Sequence, residues 1–505
     1  MGIKGKVKVI LMGVGASSAF FKKAEQEMEN LEIVCYEKNS DVGGIWLENQ
    51  YPGCAGDISS IWDYLKSIER DNNFIAKYIR LRHRLEHVEW DGAAGLWRCR
   101  IRDLEKDASF EDSAEFFVNA GGVLNNWKWP DTPVLADFKG KLMHSASYDV
   151  GRDLYNKRVA VIGAGSSGMQ IVAAIQQKVQ HLYQWTRSPI WITTGYAQKW
   201  ARNNGANFRY SEEQLKFLDE NPKKYLEYRK HIENELNQRF KFIIKASEEA
   251  RVACDSAESG MRKWLHNHPH LAHTMIPTNF NPGCRRPTPA PGYFEALDAA
   301  HTTIFTGLIG SITPTGFTDH QGNQHGVDVI ICATGFNTSW LPRIPFIAHG
   351  TNLRHLWGTG KGVTSYLSVG VPNFPNTFSF YGPYGPLGHG SFLPLAVTKC
   401  QVEGNKSLAP KLAPARHFRQ YADLYLQRTA WTSPCRSVMD APRYEDYEIE
   451  YLGENMFEFM GNGFEVREVD GRDITNYLEK LYEEGQDLAE SGFGWVVSLM
   501  ETRRL

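Results

Sequence analysis

The sequence predicts an α/β fold with two dinucleotide-binding units, and three observations lead to this prediction. A glycine-rich loop follows an apolar strand in VKVILMGVGASS, and a second follows another strand in KRVAVIGAGSSG, about 150 residues later. Each loop enters a predicted helix, and the free backbone amides at such a helix N-terminus bind a pyrophosphate. At 505 residues the chain is too long for one core, so two or three domains are expected.

The two loops match the GxGxxG pattern to different degrees. In the first loop, Gly13 and Gly15 are followed by Ser18 at the third glycine position. The second loop is complete, and its residues are Gly163, Gly165, Ser166, Ser167 and Gly168. One such loop is a weak signal, but two in one chain predict an enzyme that binds a flavin and a nicotinamide dinucleotide.

The residue after the second strand of each unit predicts which nucleotide is bound. Glu37 lies 22 residues beyond Gly15, where an acid accepts hydrogen bonds from the ribose 2′-hydroxyl of FAD or NAD. The second unit ends in Thr186 and Arg187 and carries no acid. A cation at Arg187 suits a 2′-phosphate and predicts NADP(H), although an ordinary surface charge is the alternative.

Composition and local patterns exclude several other classes of protein. A net charge of −2 gives no field for binding nucleic acid, and no apolar run has the length of a membrane span. The eight scattered cysteines contain no CxxC pair, which favours reduced thiols and a cytoplasmic location. The histidines at 266, 268, 270 and 273 lack a ligand pattern, so no metal site is predicted. The oligomeric state stays open.

Local signals predict several elements between and after the two loops. A hairpin is expected at 87–101 and strands at 114–122 and 325–336. Ser211 and Gln214 form the pattern of a capping box at the start of a helical stretch over 211–265.

Longer segments carry a family resemblance. They are EKNSDVGGIW (37–46), YPGCAGD (51–57), FKGKLMHSASYD (138–149), GCRRPTPAPGYFEAL (283–297) and CATGF (332–336). Within the third of these, Phe138, Gly140 and His144 match the fingerprint FxGxxxHxxxW[PD]. Through these segments the chain resembles the class B flavoprotein monooxygenases, and within them the Baeyer–Villiger type of secondary metabolism.

The resemblance implies two Rossmann-like domains, in which an NADP domain with a helical insert interrupts the FAD domain. The FAD domain is then expected at 1–150 and 336–505, the NADP domain at 151–335 and the helical insert at about 195–280. The segments that cradle the flavin contribute five further candidates for FAD binding, namely Gly44, Ile45, Trp46, Asp57 and Ile58.

The resemblance also implies a reaction in which one oxygen atom of O2 is inserted into an organic substrate, with FAD and NADPH as cofactors. The expected substrate is a ketone or polyketide-like molecule, and a ketone would be converted to an ester or lactone. The oxidising anion needs a permanent cation beside it, and guanidinium is the side chain that keeps its proton. The resemblance implies that Arg286 is the catalytic cation and that Asp57 orients it through a hydrogen bond. It also implies that Arg285 contacts NADP and that His144 acts as a hinge between the domains.

Several departures from the family pattern fall in the FAD half. There, Gln50 and Gly121 replace the usual arginine and threonine, and blocks are missing after 57–60 and 431–438. Tyr148, which replaces the usual tryptophan, is the one departure outside the segments assigned to the FAD domain. An alternative is therefore a non-oxidative enzyme or a binding protein on the same fold with a degenerate FAD site. The retained charges of Glu37, Asp57 and Arg286 favour the monooxygenase.

Overall fold

The computed structural model describes residues 6–15, 17–28, 30–54, 58–132, 134–193, 210–238, 247–282, 288–307, 309–359, 362–365 and 369–383. Its strands are β1 Val7–Met12, β2 Leu31–Tyr36, β3 Ile79–Arg80, β4 His83–Asp91, β5 Leu96–Asp103, β6 Ala108–Ala114, β7 Phe116–Asn119, β8 Lys141–His144, β9 Arg158–Ile162, β10 His181–Thr186, β11 Ile192–Thr193, β12 Thr288–Pro289, β13 Thr302–Thr306, β14 Ser311–Thr313, β15 Gly316–Thr318, β16 Gln324–Gly326, β17 Val329–Cys332, β18 Phe346–Ala348, β19 Thr351–Asn352 and β20 Thr377–Ser379. Its helices, numbered in chain order, are α1 Ser17–Glu27, α2 Ile45–Glu48, α3 Ile58–Asn72, α4 Phe74–Lys77, α5 Ser166–Ile175, α6 Glu212–Glu220, α7 Pro222–Gln238, α8 Glu248–Trp264, α9 Pro269–Met275, α10 Tyr293–Leu297 and α11 Leu353–Gly358.

Two five-stranded parallel sheets form the framework. The first has the strand order β20-β7-β1-β2-β3, and the second has the order β13-β10-β9-β17-β8. Every pairing within them is parallel. Central strands β1 and β9 carry the glycine loops at their carboxyl ends, where parallel α/β sheets bind their ligands.

The two halves share one plan. In each, an antiparallel three-stranded meander is inserted between the third and fourth parallel strands, counted from the strand that carries the glycine loop; it is β4-β5-β6 in the first half and β14-β15-β16 in the second. The predicted hairpin at 87–101 is the β4–β5 pair, and the predicted strands at 114–122 and 325–336 contain β7 and β17.

The edge strands exchange between the halves. Strand β20 follows the second half along the chain but pairs with β7 of the first sheet. Strand β8 precedes the second glycine loop and pairs with β17 of the second sheet. Because β8 begins at Lys141, the second sheet takes up chain before the predicted domain boundary at 150. The segment 138–149, which matches the family fingerprint, thus contributes β8 to the second sheet and no strand to the first.

Helices α6 to α9 lie where the helical insert is expected. Ser211 caps α6 by accepting a hydrogen bond from the Gln214 amide (3.2 Å), and the Gln214 side chain accepts one from the Ser211 amide (3.0 Å). This is the predicted capping box. Among the described residues, no helix has the length and apolar character needed to cross a bilayer.

Trp97 connects the part of the first domain that precedes the second domain in the chain to the part that follows it. Its side chain on β5 is fully buried and stacks on Phe346, with ring centroids 5.0 Å apart. Its indole Nε1 donates a hydrogen bond to the Pro375 carbonyl oxygen (2.8 Å). Residues on both sides of the second domain therefore share one core.

Truncation of this side chain tests that closure. We expect Trp97→Ala to lower the free energy of unfolding of the first domain by about 3–5 kcal/mol, because it opens a large cavity. Trp97→Phe keeps a buried ring and loses the hydrogen bond, so we expect about 1 kcal/mol. Urea unfolding followed by fluorescence measures both, and equal losses for the two variants would contradict the packing role.

Candidate functional site

The first glycine loop leaves β1 and packs against the end of β7. Gly13 has φ +91°, and a Cβ there would lie 2.9 Å from the Ala120 carbonyl oxygen. The Ser17 hydroxyl donates to the Gly13 carbonyl oxygen (2.6 Å). Ser18, at the third glycine position, is buried without blocking the turn into α1. The loop thus keeps the geometry of a nucleotide-binding turn despite that serine.

Glu37 lies directly after β2 and is hydrogen-bonded to this loop. Its carboxylate accepts hydrogen bonds from the amides of Val14 (3.0 Å) and Asn39 (2.9 Å), and only 4% of the residue is exposed. Burial raises the pKa of the Glu37 carboxyl above its usual range. Two backbone amides leave further lone pairs of the carboxylate for a ribose hydroxyl.

A second glycine turn covers the first loop. Gly44 precedes α2 with φ +53°, and a Cβ there would lie 3.2 Å from the Gly15 Cα. Ile45 and Trp46 form the first residues of α2, and the Trp46 amide donates to the Gly43 carbonyl oxygen (3.0 Å). Two side-chain-free backbones therefore face each other where the FAD pyrophosphate is predicted.

Trp62, which the sequence did not single out, supports this second turn. Its Nε1 donates to the Val42 carbonyl oxygen (2.9 Å), and its Cδ1 would lie 2.7 Å from a Cβ at Gly43. Trp62 lies on α3, which begins at Ile58. In this chain α3 therefore supplies an aromatic support for the predicted flavin segment.

The second glycine loop is built more tightly. A Cβ at Gly163 would lie 2.5 Å from the Ala333 carbonyl oxygen, and a Cβ at Gly168 would lie 2.0 Å from the Gly163 carbonyl oxygen. Gly165 is exposed, and nothing lies within 4 Å of a Cβ built there. The first and third glycines thus allow close packing, and the second leaves open space before the N-terminus of α5.

Strand register corrects the residue count used for the nucleotide preference. Met12 pairs with Tyr36, and Ile162 pairs with Trp185. The structural counterpart of Glu37 is therefore Thr186, and Arg187 lies one residue beyond it. Counting from the glycines misplaced Arg187 because the connection in the first unit is one residue longer.

Thr186 and Arg187 lie in different environments. Thr186 is fully buried, with its hydroxyl beside that of Tyr293. Arg187 is exposed and makes no hydrogen bond or ion pair with any residue in the described part of the chain. The position still lacks an acid, and a solvent-facing guanidinium follows it.

Both serines at the start of α5 bind other segments. The Ser166 hydroxyl is 3.0 Å from the Thr288 hydroxyl. The Ser167 hydroxyl donates to the Tyr51 hydroxyl (3.2 Å), which itself donates to Gln170 Oε1 (3.0 Å). Neither Tyr51 nor Thr288 was predicted as a site residue, because no local pattern marks a contact between such distant segments.

Three predicted residues lie outside the described residues: Asp57, Arg285 and Arg286. The structure describes residues on either side of them. Ile58 opens α3, and Tyr51 and Thr288 bring the flanks of both segments to α5.

His144 is the last residue of β8, the strand through which the chain passes from the first sheet to the second. Its Nδ1 accepts a hydrogen bond from the Ala146 amide (3.1 Å), so the proton sits on Nε2, 3.2 Å from the Thr334 hydroxyl. Trp127 stacks on the imidazole with ring centroids 4.5 Å apart. Burial lowers the pKa of His144 to about 4, so the ring is neutral at pH 7 and serves as a packed junction.

The histidines at 266–273 form no metal site in the described part of the chain. His268 Nε2 lies 3.0 Å from an oxygen of the Asp298 carboxylate. No group of three or more histidine, cysteine, aspartate or glutamate side chains there has the arrangement of a metal site.

These arrangements fit two dinucleotides. The first loop offers a buried acid and facing glycine turns for FAD, and the second offers an open helix N-terminus for NADP(H). The orientation of α5 and the free space at Gly165 are observations of this chain and do not depend on the resemblance.

A pair of alanine substitutions separates packing from nucleotide binding. Gly165→Ala has room and an ordinary φ of −74°, so we expect an unchanged melting temperature but at least tenfold weaker NADP+ binding. In Gly168→Ala the new Cβ clashes with the Gly163 carbonyl oxygen and pushes α5 away from the loop, so we expect a lower melting temperature as well as weaker NADP+ binding. Calorimetry and thermal unfolding measure the two properties; full NADP+ affinity in Gly165→Ala would contradict the assignment.

The buried His144 predicts a pH dependence of stability. Its folded pKa is depressed, so its contribution is complete above pH 6.5 and is lost as the pH falls toward 4. Between pH 6.5 and pH 5 we expect the wild type to lose about 2 kcal/mol more than His144→Gln. Urea unfolding at each pH measures the difference, and parallel pH profiles would refute the depressed pKa.

Comparisons with known proteins agree with this geometry. A model of the flavin-binding monooxygenase-like family matches residues 47–244. The FAD-binding monooxygenase tazF of Aspergillus terreus is 34% identical, over 94% of both chains. A Baeyer–Villiger monooxygenase of Pseudomonas aeruginosa is 28% identical, over 85% of this chain and 84% of its own. The alignment with the A. terreus protein spans 538 positions, so that relative contains stretches that this chain lacks.

Solved structures show the same fold. OTEMO in complex with FAD and NADP superimposes with a TM-score of 0.68 at 21% identity, covering 84% of this chain and 92% of its own. A cyclohexanone monooxygenase mutant from Rhodococcus sp. Phi1 bound to NADP+ gives 0.66 at 21%, covering 95% and 98%. The predicted fold class and family are confirmed, and the chain belongs to the flavin-binding monooxygenase family of enzymes.

Proposed function

We propose that the chain is an FAD-dependent, NADPH-using monooxygenase that oxidises a ketone to an ester or lactone in secondary metabolism. The contrast between the two strand ends carries the proposal. The buried acid Glu37 follows the second strand of the first unit, whereas its counterpart in the second unit is Thr186, followed by the exposed cation Arg187. An acid selects an unphosphorylated ribose, and a cation selects a 2′-phosphate.

Each cofactor has residues to hold it. Glu37 would accept hydrogen bonds from the FAD ribose with the lone pairs that the loop amides leave free. Gly15 and Gly44, whose backbones are in contact and carry no side chains, would leave the pyrophosphate room beside them. The amides of Ser166 and Ser167 at the start of α5 hold the NADP(H) pyrophosphate. When bound, FAD supplies the redox chemistry, which takes a hydride from NADPH and activates O2.

The remaining roles belong to the segments flanked by Tyr51 and Thr288. Arg286 stays protonated at every physiological pH and stabilises the negative charge of the oxidant beside the ketone. Asp57 accepts hydrogen bonds from the guanidinium and orients it. The relative from P. aeruginosa, named a Baeyer–Villiger monooxygenase, supports this reaction type, and the fungal relatives named FAD-binding monooxygenases support the cofactor.

Flavin colour and product analysis test the proposal. We expect the purified protein to be yellow, to bleach with NADPH without oxygen, and to regain its colour in air. With a panel of cyclic and polycyclic ketones, mass spectrometry detects addition of one oxygen atom. A colourless protein that converts a substrate without NADPH would establish the non-oxidative alternative instead.

Two arginine variants separate cofactor selection from catalysis. Arg286→Ala loses about 10²–10³-fold in product formation while it keeps the flavin colour, because a charge-stabilising donor is gone. Arg187→Ala raises the KM for NADPH about tenfold and leaves the KM for NADH unchanged, because it loses the contact to the 2′-phosphate. Wild-type product formation by Arg286→Ala would refute its role.

A further inference from the structure

The second sheet has a topological switch point beside its glycine loop. Strands β10 and β13 follow β9 outward on one side, whereas β17 and β8 lie on the other side of β9. Open α/β sheets bind a dinucleotide across such a switch point, at the carboxyl ends of the strands. Arg187, directly after β10, is the proposed contact of the 2′-phosphate. The opposite half of the dinucleotide is therefore expected at the carboxyl ends of β17 and β8.

The carboxyl end of β17 continues the open surface of the glycine loop. Ala333 touches the loop, because a Cβ at Gly163 would lie 2.5 Å from the Ala333 carbonyl oxygen. Two residues later, Gly335 has φ +80°, and a Cβ built there would meet nothing within 4 Å among the described residues. The same holds for Gly165, and both glycines are exposed. Bare backbone thus leads from the predicted pyrophosphate site across the end of β17.

Thr334, between Ala333 and Gly335, presents a hydrogen-bond donor at this surface. Its hydroxyl oxygen lies 3.2 Å from Nε2 of His144. Because the Ala146 amide donates to Nδ1, Nε2 carries the ring proton and donates to that oxygen. The hydroxyl proton of Thr334 then has no acceptor among the described residues, and the residue is exposed. An amide oxygen of a ligand would provide that acceptor.

Two tryptophans cover His144 at the carboxyl end of β8. Trp127 stacks on the imidazole, with ring centroids 4.5 Å apart. Trp129 meets both rings edge to face, with its centroid 5.1 Å from that of Trp127 and 6.0 Å from that of His144, and it stays 40% exposed. Stacking therefore occupies one face of Trp127, whereas Trp129 keeps indole surface that is free to contact a ligand. Tryptophan is the side chain that attracts a cation to its ring face most strongly.

We propose that Trp129 and Thr334 bind the nicotinamide ring of NADP(H). The indole packs against the ring, which is a pyridinium cation in NADP+, and the Thr334 hydroxyl donates to the carboxamide oxygen. Strand β8 lies two strand spacings, about 10 Å, from β9, a distance that a ribose with its base can span. His144 is a positioning residue, because it orients the Thr334 hydroxyl without touching the nucleotide. The inference rests on the proposed function, since it extends the dinucleotide that the second loop and Arg187 hold.

The nucleotide 2′-phospho-ADP-ribose, which lacks only the nicotinamide ring of NADP+, tests the proposal. In calorimetry on the FAD-loaded wild type, we expect NADP+ to bind more tightly than 2′-phospho-ADP-ribose. Trp129→Leu should weaken NADP+ binding about tenfold, the equivalent of one cation–π contact. Thr334→Val should weaken it about fivefold, the equivalent of one neutral hydrogen bond. Both variants should keep wild-type affinity for 2′-phospho-ADP-ribose, because that nucleotide makes neither contact.

Two control variants separate ligand contact from folding. Thr334→Ser keeps the hydroxyl and should keep wild-type NADP+ affinity. Phe110→Leu removes an equally exposed aromatic ring (40%) from β6 of the first domain and should change neither affinity.

Unchanged NADP+ binding in either Trp129→Leu or Thr334→Val, or an equal loss for both nucleotides, overturns this inference and leaves the proposed function intact. A wild type that binds 2′-phospho-ADP-ribose at least as tightly as NADP+ does the same. A wild type that binds neither nucleotide overturns both.

Discussion

The fit of α5 against its surroundings is the constraint on which the site depends. A Cβ at Gly168 would come within 2.0 Å of the Gly163 carbonyl oxygen, so the helix approaches the loop as closely as backbone allows. On another side, Gly53 brings the segment after the flavin turn so close to α5 that a Cβ there would lie 2.5 Å from the Gln170 carbonyl oxygen. Because both contacts are backbone against backbone, neither relaxes by a side-chain rotation. The position of α5 is therefore coupled to those of the Gly163 loop and of the chain at Gly53.

The two nucleotide units repeat one topology, but different interactions hold their glycine loops in place. In the second, glycine permits close packing, and the carboxyl end of β10 carries no acid. In the first, the Ser17 hydroxyl and the Glu37 carboxylate bind the loop by hydrogen bonds to Gly13 and Val14. Ser18 is compatible with this arrangement because side-chain hydrogen bonds, rather than closest packing, hold the loop. A serine at the third glycine position is thus no sign of a decayed site.

Local signals in the sequence predicted much of the fold. The capping box at Ser211, the hairpin at 87–101 and the glycine loops each depend on residues close in the chain, and each is present. The family resemblance added the interrupted order of the domains. The exchange of β8 and β20 between sheets is a matter of long-range pairing, which no residue pattern within those short strands reveals.

The site was predictable only in part, for a related reason. A fixed count of 22 residues assumes that the connections in the two units have the same length. The strand register of the two sheets shows instead that Thr186, and not Arg187, is the structural counterpart of Glu37. Tyr51, Trp62 and Thr288 act across more than a dozen residues of sequence, and their neighbours in the chain say nothing about their partners. Trp62 lies on α3, beyond the flavin segment in the chain, and only the folded structure brings its indole to the Val42 carbonyl oxygen and the Gly43 turn. The support of this turn is therefore a tertiary contact, which a pattern of neighbouring residues does not encode.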